Sequence, residues 1–484
     1  MNFLVRYGEM LPWGSDVVSN VAYATTMFRG VYNAGWSVPK PSHMLIFGGT
    51  YWITGSLWFV NMVSIVAAAL LIYYASRIMD RKYGVPIPFL IFAAFMMMTP
   101  FSFSATLGSG SGLLSALSMF IALLYIDKLG SLKNRIMVIV FLSMANLTRP
   151  DNWVSTGLMI FFLFILKYLP GSRPKFDKSD LLFLIPMGIP IVWHLMDYAV
   201  FGDIFYSKRV AQRFVTEYAS GNKVFDWHKY PGMVKSAFFN TFYLSAWLSV
   251  KTLGLIALCI IGIVTMFIKQ RRTLLFMVCP FFGTIAFYFV TYVNGMLFMS
   301  RFLFYNYIFI FFVLSVGIAQ LSSFVLHLPV RYLRNFIQVA IACLLVFLIV
   351  HKPLKARIID SMIPGFKNRS AVVKRENEAI KSLKNDVDLN NNRVVFTTLH
   401  IACSRISLEL RTGRDVYLLE RLVGLERLGM KDFLPDLKNR TAYLGYNESV
   451  GGNVAKLIQK IEKEAGNVET IFDEGGLKVR KFFY

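Results

Sequence analysis

The chain has 484 residues, 56% hydrophobic and 15% aromatic, with a mean hydropathy of +0.52 and a formal net charge of +23. That much apolar surface is more than a soluble fold can bury. It comes in repeated runs of about 20 residues, the length that spans a hydrocarbon layer about 30 Å thick, so an ordinary soluble enzyme is excluded and a polytopic α-helical membrane protein is expected.

The charge divides unevenly, +17 on residues 1–352 and +6 on residues 353–484. A basic excess on such a chain points to cytoplasmic loops and lipid headgroups. Without a basic stripe interleaved with stacking aromatics, nucleic acid is not an expected partner. Cys259, Cys279 and Cys343 lie in apolar runs, where cysteine acts as a small hydrophobe, and Cys403 stands alone in the C-terminal part. No Cys/His spacing suggests a metal site.

Residues 1–54 come first. Between Glu9 and Gly49 they carry Asp16, Arg29 and, in the proline-framed VPKPSHM, Lys40 and His43. The stretch lacks the basic-then-apolar pattern of a signal peptide. It is too polar to cross a bilayer and too apolar to be a solvated tail. It reads as an outward-facing, non-spanning segment that folds back onto the membrane and builds a catalytic site there.

Residues 55–352 read as a transmembrane helical domain with about ten spans, near 55–76, 85–106, 111–127, 136–148, 152–169, 181–201, 243–268, 273–293, 303–325 and 335–351. Alternate connections are basic: Arg77, Arg81 and Lys82; Lys128, Lys133 and Arg135; Lys167, Arg173, Lys175 and Lys178; Lys269, Arg271 and Arg272; Arg331 and Arg334. These are expected in the cytoplasm. The other connections then face outward: the N-terminal segment, the turn at 147–151, the long loop 202–240, the turn near Arg301 and the C-terminal part. Ten spans with an outward C-terminus put Met1 outside as well. A further helix upstream of Met1 is the simpler arrangement expected of the natural protein.

Residues 353–484 read as a soluble extracytoplasmic α/β domain. Strands are expected at NRVVFTT, DVYLLE and RTAYLGYN, and helices at HIACSRISLELRTG and NVAKLIQKIEKEAG. A closing hairpin turns at Glu474-Gly475-Gly476. This part carries no Gly-rich phosphate loop or nucleophile elbow, so it is expected to bind acceptor or to be structural.

Acids are scarce before residue 353. The outward set is Glu9, Asp16, Asp151, Asp197, Asp203, Glu217 and Asp226. Ionisable groups near a membrane cavity default to a functional reading. Asp16 stands out for its apolar, Gly/Trp-rich surroundings; pairing with Arg149 to close a turn would account for Asp151. Arg149, Lys208, Arg209 and Arg301 all fall at outer ends of spans. Each alone could snorkel to headgroups, whereas four together suit a phosphate-bearing lipid. His43, just before a span, reads as a headgroup or backbone hydrogen-bonder, and Lys40 as a contact to either a donor or a lipid phosphate.

Five stretches, in order, resemble GT-C glycosyltransferases, in particular the bacterial polyprenyl-phosphate-sugar enzymes of the arabinofuranosyltransferase and mannosyltransferase kind. The run from Asp16 to Leu45 is similar to their first outward loop. SGLLSALSMFIALLYID (111–127), NLTRPDNW (146–153), FGDIFYSKRVAQRF (201–214) and SRFLFYNYIFIFF (300–312) resemble later outward motifs. The chain departs from the pattern with Ser15-Asp16 where the family often has paired acids, and with Leu114 where it has Glu.

The resemblance implies an inverting glycosyltransferase, hexosyl or pentosyl. It would move a sugar from a polyprenyl phosphate to a glycan, lipid or protein acceptor of the cell envelope, on the outer face of the plasma membrane. Asp16 would be the general base. Lys208, Arg209, Arg301 and Arg149 would bind donor phosphate, and Lys40, His43, Arg29, Asp151 and Glu9 would contact substrate. Some family members hold a divalent metal at the acidic motif; a single acid here assigns none. Two other readings stay open. A transporter or flippase of a lipid-linked or anionic solute fits the span number, but no internal repeat supports it. A non-catalytic envelope-assembly subunit would be favoured by an inert Asp16→Asn substitution.

Overall fold

The computed structural model describes residues 40–84, 88–96, 111–168, 178–209, 227–242, 249–293, 303–324 and 331–354 of the helical part, with Val21 and Ala24 before them. In the C-terminal part it describes residues 375, 378–383, 385, 393–397, 416–419, 422, 437, 440–447, 452–474 and 476–484.

Helix α1 (residues 41–54) starts on the fixed φ of Pro41, passes through a π-turn at Met44–Gly48 and stops at Gly55, which takes the left-handed conformation (φ 64°). Ala24 packs on α1, so tightly against Gly48 that a Cβ there would overlap it, and Val21 is fully buried.

The helices that follow are α2 (Leu57–Ile78), α3 (Pro88–Met96), α4 (Ser111–Tyr125), α5 (Leu132–Thr148), α6 (Asp151–Tyr168), α7 (Leu184–Phe201), α8 (Tyr230–Phe242), α9 (Val250–Val293), α10 (Phe304–Phe324) and α11 (Arg331–Leu354). A straight helix of α9's length would run about 66 Å, twice the hydrocarbon thickness. Gln270 breaks it (φ −152°, ψ 68°) into two stretches of bilayer length. Among the described residues, four helices are long and apolar enough to cross a membrane, with α9 counted once, and three apolar helices are shorter. This is a helical membrane protein; the ten spans expected from sequence exceed that count.

α10 is the central helix and is buried along most of its length. It packs on α9, α11 and α3, while α9 also packs on α6, α4 on α5 and α2, and α7 on α5. Backbones touch where α9 meets α10: a Cβ on Gly262 would overlap the Val313 carbonyl, and one on Gly317 the Leu258 carbonyl. Lipid tails are as apolar as leucine, so close approach at small residues is what holds membrane helices together.

Inside α7, Pro190 has no N–H to give the carbonyl of Pro186. Asn146 of α5 supplies the missing donor, its Nδ2 lying 2.8 Å from Pro186 O, and its Oδ1 accepts from Thr156 Oγ1 at 2.8 Å. A break in one helix is thus met by a side chain of its neighbour.

The bundle has two chemically different ends. At one, Lys82 Nζ donates to Leu123 O (3.1 Å) and Thr273 Oγ1 (3.0 Å), and Lys269 Nζ donates to Tyr83 O (2.7 Å). Arg135 pairs with Asp180 nearby at 3.8 Å. Basic connections far apart in sequence therefore meet at one end, as their alternation predicts.

In the C-terminal part, strands β1 (Arg393–Thr397), β2 (Val416–Leu418), β3 (Thr441–Asn447), β4 (Asn467–Glu474) and β5 (Leu477–Phe483) form one sheet in the order β2-β1-β3-β5-β4. β1 is parallel to β2 and β3, and β5 is antiparallel to β3 and β4. Helix α12 (Gly452–Glu464) buries Leu457, Ile458 and Ile461 against Phe396, Leu444 and Phe482. These are the strands, helix and hairpin read from sequence; the expected helix at 400–413 lies outside the described residues.

Candidate active site

The opposite end of the bundle gathers the polar groups. The chain leaves α5 at Arg149, held extended (φ −149°, ψ 132°) as a residue before proline prefers, and re-enters a helix at Asp151. An acid in the first turn of α6 suits the positive end of the helix dipole. Arg149 Nε donates to Asp151 Oδ1 at 2.9 Å and Nη2 to Tyr288 Oη at 2.8 Å. Both charged side chains are buried, so the ion pair and the phenol replace the water they have lost. Asn152 Nδ2 donates to Ser115 Oγ and to Ala145 O, each at 2.7 Å, tying the turn to α4 and α5.

α1 docks on the same turn. Ser42 Oγ donates to Thr148 Oγ1 (2.8 Å) and lies 3.1 Å from Leu147 O. Beside it His43 is fully buried, edge-on to Phe47 with ring centroids 4.7 Å apart, and Lys40 is half-buried at the helix start.

The third component is the chain after α7. Gly202, left-handed at φ 68°, reverses it. Asp203 then starts a short turn, accepting the Phe205 N–H at 2.9 Å and pairing with Arg209. Ser207 is buried, while Lys208 and Arg209 on either side of the turn's end are exposed. Lys208 makes no ion pair among the described residues, unlike Arg209 and Arg149. Trp153 of α6 links this turn to the Arg149 turn, lying edge-on to Trp193 (5.6 Å) and His194 (6.0 Å), and His194 lies edge-on to Phe205 (5.3 Å).

Of the site residues expected from sequence, the structure brings Lys40, His43, Arg149, Asp151, Lys208 and Arg209 to one end of the bundle. Glu9, Asp16, Arg29 and Arg301 lie outside the described residues. Tyr288, Ser42 and Ser207 were not singled out from sequence. Tyr288 sits in an ordinary aromatic-rich span and carries no local signal. Among the described residues, no three His, Cys, Asp or Glu side chains cluster as metal ligands.

No family model and no curated protein matches the sequence. Solved structures do match it. ArnT from Cupriavidus metallidurans, crystallised with undecaprenyl phosphate, superposes with a TM-score of 0.58 at 10% identity, over 99% of this chain and 97% of that one. The Archaeoglobus fulgidus oligosaccharyltransferase AglB, in complex with an inhibitory peptide and a dolichol-phosphate, superposes with a TM-score of 0.50 at 11% identity, over 97% of this chain and 70% of that one. Both are GT-C membrane glycosyltransferases. The chain has the GT-C fold. At such low identity this is a statement of architecture, and the chemistry has to be argued from the residues of this chain.

Proposed function

We propose that this GT-C protein is an inverting glycosyltransferase. It takes a sugar from a polyprenyl-phosphate donor and delivers it to a glycan, lipid or protein of the cell envelope, on the extracytoplasmic side of the plasma membrane. The observation that carries the reading is the meeting of α1, the Arg149–Asp151–Tyr288 turn and the Lys208 turn at the bundle end opposite the basic connections. An exposed Lys208 and a half-buried Lys40 at one end of a lipid-embedded bundle suit a phosphate with a hydrocarbon tail. In this reading residues 1–54 and the loop 202–240 frame the site, residues 55–352 supply about ten spans, and residues 353–484 stand outside as acceptor domain or cap.

In the reaction, the acceptor oxygen attacks the anomeric carbon from the face opposite the phosphate. Asp16 takes the hydroxyl proton as general base. The bond from anomeric carbon to phosphate oxygen breaks, and polyprenyl phosphate leaves with the electron pair. Lys208 is the first choice to meet the charge that develops there, because it is exposed and makes no ion pair among the described residues, with Arg301 as a second cation; a well-placed donor contributes about 3–4 kcal/mol to such a transition state. Arg149 is already neutralised by Asp151 and serves to hold the turn between α5 and α6 against α9.

The test is release of polyprenyl phosphate. Full-length protein in nanodiscs is given polyprenyl-phosphate sugars and an envelope extract as acceptor. Release with sugar transfer is expected. A protein that releases none, yet moves the labelled lipid between leaflets, is a transporter.

A further inference from the structure

Asp197 is fully buried near the end of α7, in an otherwise apolar stretch. A carboxylate in such a place persists only where hydrogen bonds replace its water. Both of its oxygens are spent on one residue. Oδ2 accepts the Ser207 backbone N–H at 3.0 Å and Oδ1 accepts the Ser207 hydroxyl at 2.8 Å. The same hydroxyl oxygen accepts from Trp193 Nε1 at 3.1 Å. Trp193 and Asp197 are four apart on a helix, hence on one face. A second tether lies 2.9 Å long between His194 Nδ1 and Ile204 O.

These contacts clamp the reversed chain against α7 at Ile204 and at Ser207, the residue immediately before Lys208. Backbone and side chain of Ser207 are both held, so the course of the chain entering Lys208 is fixed. Asp203 holds the same turn from within through Phe205 and Arg209. We infer that Asp197 is a positioning residue: through Ser207 it holds the Lys208 ammonium where the donor phosphate binds. The inference rests on the proposed function, since it needs Lys208 to meet a phosphate.

A double-mutant cycle tests it, read as the Kd of undecaprenyl phosphate for the full chain in nanodiscs. Asn at 197 presents an NH2 where one Ser207 donor now points. Asp197→Asn and Ser207→Ala should each weaken binding by about tenfold, the scale of one charge-assisted contact. Neither should weaken it further in a Lys208→Ala background, because a positioning effect disappears with the group positioned. Hydrogen exchange at 203–209 should quicken in both variants while the Arg135–Asp180 end keeps its protection. Ser207→Ala is the milder change and keeps the test valid if Asp197→Asn misfolds. Equal losses with and without Lys208 would overturn the inference, as would unchanged binding in Asp197→Asn. If wild type binds and Lys208→Ala binds as well, the inference fails alone. If wild type binds no undecaprenyl phosphate, the proposed function fails with it.

Discussion

Arg149 Nη2 lies 2.8 Å from Tyr288 Oη, joining the head of α6 to the second half of α9 across 139 positions of sequence. With Asp151 at 2.9 Å on its other side, the guanidinium is the hub of a buried polar cluster. Arg149→Ala would leave the Asp151 carboxylate buried without its cation, a change that costs about 3–5 kcal/mol. A clear drop in Tm in detergent is expected. Tyr288→Phe removes one acceptor from a charged donor and should cost about 1.5–3 kcal/mol. Loss of activity in Arg149→Ala therefore counts as evidence about phosphate only after the Tm of the variant has been compared with that of Tyr288→Phe.

Asn146 and Pro186 make a second long-range pair. Asn146→Leu removes the donor that meets the Pro186 carbonyl and the acceptor for Thr156. The expected loss is about 1–3 kcal/mol for each buried group left unmet. Pro190→Ala restores a backbone N–H to α7, so Asn146→Leu should be less damaging in that background. Thermal unfolding of the four proteins of the cycle measures the coupling, and strict additivity would mean that the amide does not compensate for the proline.

Gly262 and Gly317 set the spacing of α9 and α10. Gly262→Ala or Gly317→Ala places a methyl onto a backbone carbonyl of the facing helix, so the helices must part. Overpacking of this kind costs about 1–3 kcal/mol. Both variants should give lower yields of monodisperse protein, whereas Gly254→Ala, with open space around it, should purify as wild type.

Much of this architecture is legible in the sequence. The apolar runs mark the helices, and alternating basic connections sort the two ends. LTRPD announces the turn in which Arg149 and Asp151 pair, because proline stops one helix and an acid starts the next. The C-terminal strands follow from their alternation and from the Gly476 turn. What the sequence hides is which partner a polar side chain meets across helices. Asn146 reads as a stray amide until Pro186 is seen beside it. Asp197 announces itself as an acid in an apolar run, but its hold on Ser207 depends on the chain reversing at Gly202. The break of α9 at Gln270, by contrast, falls where the sequence ends one span near 268 and begins the next near 273, marked by Lys269, Arg271 and Arg272 and not by glycine or proline.

Tyr484 offers a pH test of the C-terminal part. Burial, aided by Glu464 and Glu462, pushes its phenol up to about 12 from 10.0. Its Oη donates to Ile461 O at 2.7 Å. A raised pKa means the folded state holds the proton more tightly. The contribution is complete below pH 10 and is lost as pH rises through 12. Tyr484→Phe should be less stable at pH 8 by about 0.5–1.5 kcal/mol and should lose less stability than wild type between those two pKa values. Hydrogen exchange of the α12 and β5 peptides across that range measures both.

The central claim is tested most directly by polyprenyl phosphate release from polyprenyl-phosphate sugars, comparing wild type with Asp16→Asn in nanodiscs. Asp16→Asn should keep the wild-type Tm and lose at least about a hundredfold in rate, the lower end of what a general base contributes. Equal release by a folded Asp16→Asn protein would contradict the assignment of the base, and no release by either protein would contradict the glycosyltransferase itself.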